Sequence, residues 1–197
     1  IELLYSDSIL LMGSCFSDSI GDKFDQGGFT VESNTFGTLF HPIAISNVIK
    51  SALTEAKNVD IYQRDDLYFS WDSASKIYAT TEAKLIETVL EKRKDLAEKI
   101  KTSRLICITL GTAWEYKLKS SEAVVGNCHK APQNLFEKSL TSIDKMRKEW
   151  ESVLSMIRSV NSTAKIVFTV SPVRHTKDGL IENNRSKARL LELIQQL

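Results

Sequence analysis

The chain has 197 residues, 42% of them hydrophobic and 26% charged, which is the composition of one globular domain and excludes general disorder. Its 26 Lys and Arg nearly cancel 25 Asp and Glu, for a net charge of +1, so nothing draws the chain onto a phosphate backbone and nucleic acid is not an expected partner. No apolar run approaches the roughly 20 residues of a membrane span.

The first apolar run, residues 8–12 (SILLM), stops at Gly13 and is too short for a helix, so it reads as a buried strand. A short polar-apolar stretch follows Ser14-Cys15-Phe16-Ser17 and ends at Gly27-Gly28, a helix C-cap signal. Residues 29–31 read as a second strand and 33–42 as a loop. From Ile43 a helix places Ala44, Val48, Ala52, Leu53 and Ala56 on one face. Residues 59–79 interleave Tyr62, Tyr68, Phe69, Trp71 and Tyr78 with charge, which predicts an exposed aromatic hairpin arm rather than core. Residues 81–101 form a long amphipathic helix, and 104–110 (RLICITL) a second buried strand ending at Gly111. Residues 114–118 and 123–125 are expected to pair as a hairpin around Ser120-Ser121. A helix over 140–160, a third buried strand over 165–170 (KIVFTV) and a last helix from about Asn184, capped by Asn183 or Asn184, complete the pattern.

Buried strands alternating with amphipathic helices specify a single three-layer α/β/α domain with a mostly parallel sheet. Ligands of such sheets bind at the carboxyl ends of the strands. Three segments fall there: Gly13-Ser14-Cys15-Phe16, Gly111-Thr112-Ala113-Trp114 and Ser171-Pro172-Val173-Arg174-His175.

Cys15 or Ser14 at the opening of a helix is placed for nucleophilic attack, because the helix N-terminus favours developing negative charge. The same residues also read as a turn glycine, a helix cap and a small packed thiol. The chain has three histidines, His41, His129 and His175, and any of them can act as the base such a nucleophile needs. Gly37, through its backbone N–H, and Asn127, through its amide, can donate to an oxyanion. His41, Trp114, Arg174 and Asn183 are candidates for lining a substrate site. Cys128 beside His129 lacks the spaced pairs of a zinc site, so neither metal nor cofactor is expected. Three cysteines imply no disulfide framework and favour a reducing compartment, the cytoplasm. The start at Ile1 leaves open a removed leader, although residues 1–12 themselves have no signal-peptide pattern.

The run Gly13-Ser14-Cys15-Phe16-Ser17 resembles the motif of the bacterial GSCFA family, with Ser17 in place of the final Ala. The resemblance continues through Asn34-Thr35-Phe36-Gly37, His41-Pro42, Gly111-Thr112-Ala113-Trp114, Asn127-Cys128-His129-Lys130, Ser171-Pro172-Val173-Arg174-His175, Glu182-Asn183 and Ser186-Lys187-Ala188. It implies a branch of the SGNH (GDSL-like) hydrolase fold. The SGNH Gly-Asp-Ser pattern puts the nucleophile at Cys15 and Ser14 in the Asp place. Gly37 matches the second oxyanion glycine, and Ala113 stands where an oxyanion Asn belongs. The Asp-x-x-His base motif of that fold is missing. The expectation is therefore either a chain cut before a last strand, prone to self-association along its open sheet edge, or a base supplied by His129 or His175. The implied function is an esterase or acyltransferase acting on an O-acyl group such as acetyl on a carbohydrate. The alternative is a non-catalytic glycan or peptide binding module on the same fold.

Overall fold

The computed structural model describes residues 2–174, 176 and 179–197. In chain order the elements are β1 (Ser8–Gly13), α1 (Cys15–Gln26), β2 (Thr30–Ser33), α2 (Pro42–Leu53), β3 (Ile61–Arg64), β4 (Leu67–Ser70), β5 (Tyr78–Ala79), α3 (Glu82–Thr102), β6 (Leu105–Leu110), β7 (Trp114–Leu118), β8 (Phe136–Leu140), α4 (Ile143–Val160), β9 (Lys165–Val170) and α5 (Leu180–Gln196). Strands β2-β1-β6-β9 form the central sheet in that order, and all three pairings are parallel. The ends of β1, β6 and β9 therefore lie side by side, as the three apolar runs predict.

Alternation along β1 divides the core. Leu10 and Met12 face α2, α3, α4 and α5, where they join Val48, Val89, Trp150 and Leu190 in the main cluster. Ile9 and Leu11 point to the other face and pack with Ile20 and Phe24 of α1. Period-2 alternation thus feeds apolar side chains to both helical layers. Side-chain oxygens cap the long helices: Thr81 accepts from the Lys84 N–H at 3.3 Å and Ser142 from the Lys145 N–H at 3.2 Å.

Four expectations are corrected. The aromatic segment 59–79 is not a free arm: β3, β4 and β5 form a three-stranded antiparallel sheet with Phe69, Trp71, Ile77 and Ala79 buried. Phe69 and Trp71 pack inward, Tyr62 and Tyr68 are half-buried, and Tyr78 stays exposed. Strand β7 pairs along its whole length with β8, while 123–125 contributes only a bridge from Val124 to Lys117. The β8 sequence, FEKSL, is too short and charged to signal a strand by itself. Strand β9 lies at the sheet edge, as the open-edge expectation has it, but residues 166–170 are only half-buried, so it is not a strand covered on both faces. Helix α5 begins at Leu180 behind Gly179 (φ 111°), without a side-chain cap, and Asn183 lies inside it. Its first turn leaves Leu180 and Ile181 exposed, so the apolar period does not mark it.

Polar side chains of α5 bolt it across the strand ends. Lys187 Nζ donates to the carbonyls of Gly111 (2.6 Å) and Ser171 (2.8 Å), joining β6 to β9. Arg189 donates to the carbonyls of Leu140 (2.8 Å) and Thr141 (2.6 Å) after β8. Among the described residues, no helix is long and apolar enough to cross a membrane.

Candidate functional site

The turn after β1 is built by backbone necessity. Gly13 has φ +127°, and a Cβ there would sit 2.1 Å from the Thr109 carbonyl oxygen of β6. Only glycine permits so close an approach of two strands. Asn34 then locks the turn from the next loop. Its Oδ1 accepts from the Gly13 N–H (2.8 Å), and its Nδ2 donates to Asp18 Oδ1 (2.7 Å) in the first turn of α1. Leu39 N–H donates to the Gly13 carbonyl at 2.9 Å, so the loop after β2 lies across the end of β1.

This turn separates the two nucleophile candidates. Ser14 is buried as the N-cap of α1, its hydroxyl accepting from the Phe16 N–H at 3.3 Å. Cys15 follows at the first helical position and is exposed. Its backbone N–H meets no acceptor among the described residues. The other two thiols are less accessible: burial pushes Cys107, within β6, up to about 11 and also raises Cys128.

The histidines fall differently from the expectation. His129 is fully buried and does not reach Cys15 or Ser14 by any hydrogen bond. Its Nε2 lies 2.8 Å from the Ser70 carbonyl and its Nδ1 3.3 Å from Ser75 Oγ, with the ring stacked on Phe69. Burial is the main reason its basicity falls, aided by Arg64 and opposed by the Ser70 carbonyl. His41 is the N-cap of α2: Nδ1 accepts from the Ile43 N–H at 3.2 Å, and Nε2 lies 2.9 Å from Thr141 Oγ1. Burial lowers its pKa to about 4. Behind it Glu115, nearly fully buried, accepts from Lys145 Nζ at 2.9 Å. Burial alone would raise the Glu115 carboxyl, but Lys145, His41 and Thr141 together hold it below its ordinary value. His175 lies outside the described residues.

The oxyanion candidates also separate. The Gly37 N–H is already donated to the Asn34 carbonyl at 2.6 Å, closing the tight turn that its φ of +73° allows, so it is not open to a ligand. Asn127 uses Oδ1 to accept from the His129 N–H (2.8 Å) and Ser75 Oγ (2.9 Å), while its amide N–H groups have no partner among the described residues. The Ala113 N–H, at the position of the absent oxyanion Asn, is donated to Ser186 Oγ at 2.7 Å.

His41, Trp114 and Asn127 do come together. With Phe40, Thr112 and Tyr116 they line a cleft of about 190 Å³ beside the end of β6. Trp114 is pinned by its indole N–H, which donates to the Glu182 carbonyl at 3.3 Å, and Lys138 stands over its ring at 5.3 Å. Arg174 is exposed beyond β9, and Asn183 is buried within α5, so neither lines this cleft. Cys15 is not in its lining either. A groove of about 520 Å³ between α2 and α3 involves none of these residues.

Sequence reasoning missed Ser75 and the Glu115–Lys145 pair, and named Lys187 within a motif without giving it a role. Ser75 lies 54 positions from His129 and Glu115 lies 30 from Lys145, so no local spacing announces either pairing.

No curated protein and no solved structure matches the chain. The sequence pattern describing the GSCFA family matches residues 8–197, nearly the whole length and all of the motif-bearing loops. The chain belongs to the GSCFA family.

Proposed function

We propose that this chain is an SGNH-like esterase or acyltransferase that removes or transfers an O-acyl group, such as acetyl, on a carbohydrate, with Cys15 as the nucleophile. One observation carries the reading: the exposed Cys15 thiol stands at the carboxyl end of an inner parallel strand with its own N–H open, while Ser14 is buried as a cap. That is where an open α/β sheet places its ligands. In the reaction the sulfur attacks the acyl carbonyl, a thioester forms and the sugar oxygen leaves with a proton. Water or an acceptor hydroxyl then releases the acyl group. The Cys15 N–H serves the oxyanion, and Asn127, in the separate cleft, is left to the sugar. With His41 and His129 committed to other partners, the role of base passes to His175.

The cleft of Trp114, Tyr116 and Asn127 favours a second reading, a glycan-binding module without turnover. An aromatic wall with a few polar groups suits a sugar ring. Turnover of p-nitrophenyl acetate and of an acetylated sugar separates the two. The enzyme reading expects activity that falls at least about 100-fold in C15A and about as far in H175A. Glycan binding with no turnover by the unaltered chain establishes the module instead.

A further inference from the structure

Residues Ala74–Ile77 form a turn closed by the Ile77 N–H on the Ala74 carbonyl at 3.0 Å. The turn is fastened to the loop after β2, because the Ala74 N–H donates to the Phe36 carbonyl at 2.9 Å. A Cβ on Gly37 would come within 2.5 Å of Ala74 Cβ, so the two backbones are pressed together. Ser75 projects from this fixed turn and is exposed. Its Oγ lies 2.9 Å from Asn127 Oδ1 and 3.3 Å from His129 Nδ1.

Both neighbours of that hydroxyl are acceptors, and its single proton is donated to the nearer, Asn127 Oδ1, so it must turn to His129 Nδ1 for transfer. Asn127 Oδ1 is identified as the oxygen because it also takes the His129 N–H at 2.8 Å. His129 Nε2 faces the Ser70 carbonyl at 2.8 Å, and a carbonyl can only accept, so Nε2 carries the proton of the neutral ring. The lone pair is then on Nδ1, facing Ser75. Phe69 and Trp71 hold the ring in place, with centroids 4.8 and 5.7 Å away, and Arg64 donates to the His129 carbonyl. A hydroxyl, an imidazole and a group orienting the imidazole in line are the arrangement that activates serine on unrelated folds. The N–H groups of Ser75 and Lys76, at the centre of the turn, meet no acceptor among the described residues. Lys76, Ile77 and Tyr78, which follow Ser75, line a largely polar groove of about 350 Å³ that Ser75 itself does not line.

From this geometry we propose that Ser75 is a second nucleophile, activated by His129, that takes the acyl group of short carboxylic esters. Ser75 Oγ bonds to the carbonyl carbon as its proton passes to His129 Nδ1. The open N–H groups of the turn receive the oxyanion. The carbon–oxygen bond to the alcohol breaks and the alcohol leaves with the His129 proton. Water, deprotonated by the same ring, then frees the acid and restores Ser75. The burial that lowers His129 basicity keeps the ring neutral and able to accept.

Fluorophosphonate labelling of the whole chain, mapped by mass, tests this separately from the Cys15 reading, because failure of turnover through Cys15 leaves the serine adduct untouched. The adduct is expected on Ser75, absent in S75A, slowed at least about ten-fold in H129Q, and retained in C15A. Because His129 is buried and H129Q can lose its fold, S75C is compared with S121C in a C15A background. The thiol beside the imidazole is expected to react with iodoacetamide at least about five-fold faster than the exposed control. No adduct, an adduct on another serine, a folded H129Q that labels at the unaltered rate, or S75C no faster than S121C overturns the proposal.

Discussion

Mild acid should destabilise this protein through His41. The ring is 5% exposed, its Nδ1 already accepts the Ile43 N–H, and its Nε2 is engaged with Thr141. Protonating Nδ1 sets two donors against each other at the N-terminus of α2, with no water to relieve them. Burial, the largest influence, takes the pKa from 6.5 to about 4, and Glu115 restores only part of the loss. Between those values the unfolded chain binds a proton that the folded chain refuses. The stabilisation is therefore complete above pH 6.5 and drains away as pH falls toward 4. The displacement corresponds to about 3 kcal/mol, against a total stability on the order of 5–15 kcal/mol for a domain. His129 shifts in the same direction and adds to the effect. Glu115 has a depressed pKa, so its contribution holds above its ordinary value of 4.5 and begins to drain only at the acid end of this range. Urea unfolding of the unaltered chain and of H41N at several pH values between 7.5 and 4 isolates the His41 part. Asn keeps a capping acceptor for the Ile43 N–H and does not titrate. The unaltered chain should lose about 3 kcal/mol more than H41N across that range. Equal losses in the two proteins would refute the reasoning.

Other predictions rest on single contacts. Gly13→Ala places a Cβ 2.1 Å from the Thr109 carbonyl at a φ of +127°, and should cost about 3 kcal/mol or more, read as a fall in the urea midpoint. Ser14→Ala removes the α1 cap and should cost about 1 kcal/mol while leaving Cys15 open to alkylation; a loss of turnover matching C15A would instead make Ser14 the attacking group. Iodoacetamide at neutral pH should modify Cys15 well before Cys128 or Cys107, whose thiols burial raises, and adduct order by mass spectrometry checks it. Arg93 is buried and donates to the Ala56 and Asn58 carbonyls (2.8 and 2.7 Å) beside Asp72, so Arg93→Met should lower stability by about 3 kcal/mol and visibly depress the melting temperature.

The site divides by how far apart in the chain its parts lie. The turn after β1 was legible because strand end, glycine, cap and thiol are consecutive: Gly13, Ser14 and Cys15 obey local rules of backbone sterics and helix capping. Trp114 was placed at a strand end by its motif segment, but no local signal put His41 and Asn127 beside it around one cleft. Which histidine serves which group was not legible. His129 pairs with Ser75 because the turn after β4 and the 127–129 loop meet in space, and neither sequence segment carries a trace of the other.

The amino-acid sequence by itself determined the layered α/β class, the three adjacent parallel strands and most helices, because hydrophobic period and turn chemistry act over a few residues. Its failures share one cause. Whether the aromatic segment hangs free or docks, whether 114–118 pairs with 123–125 or 136–140, and where α5 begins all depend on surfaces supplied by distant parts of the chain. The same holds for chemistry. A residue's type sets what a side chain can donate or accept, and only the tertiary structure decided that the Ser14 hydroxyl, the Gly37 N–H and both His41 nitrogens are already occupied while the Cys15 thiol stands in the open.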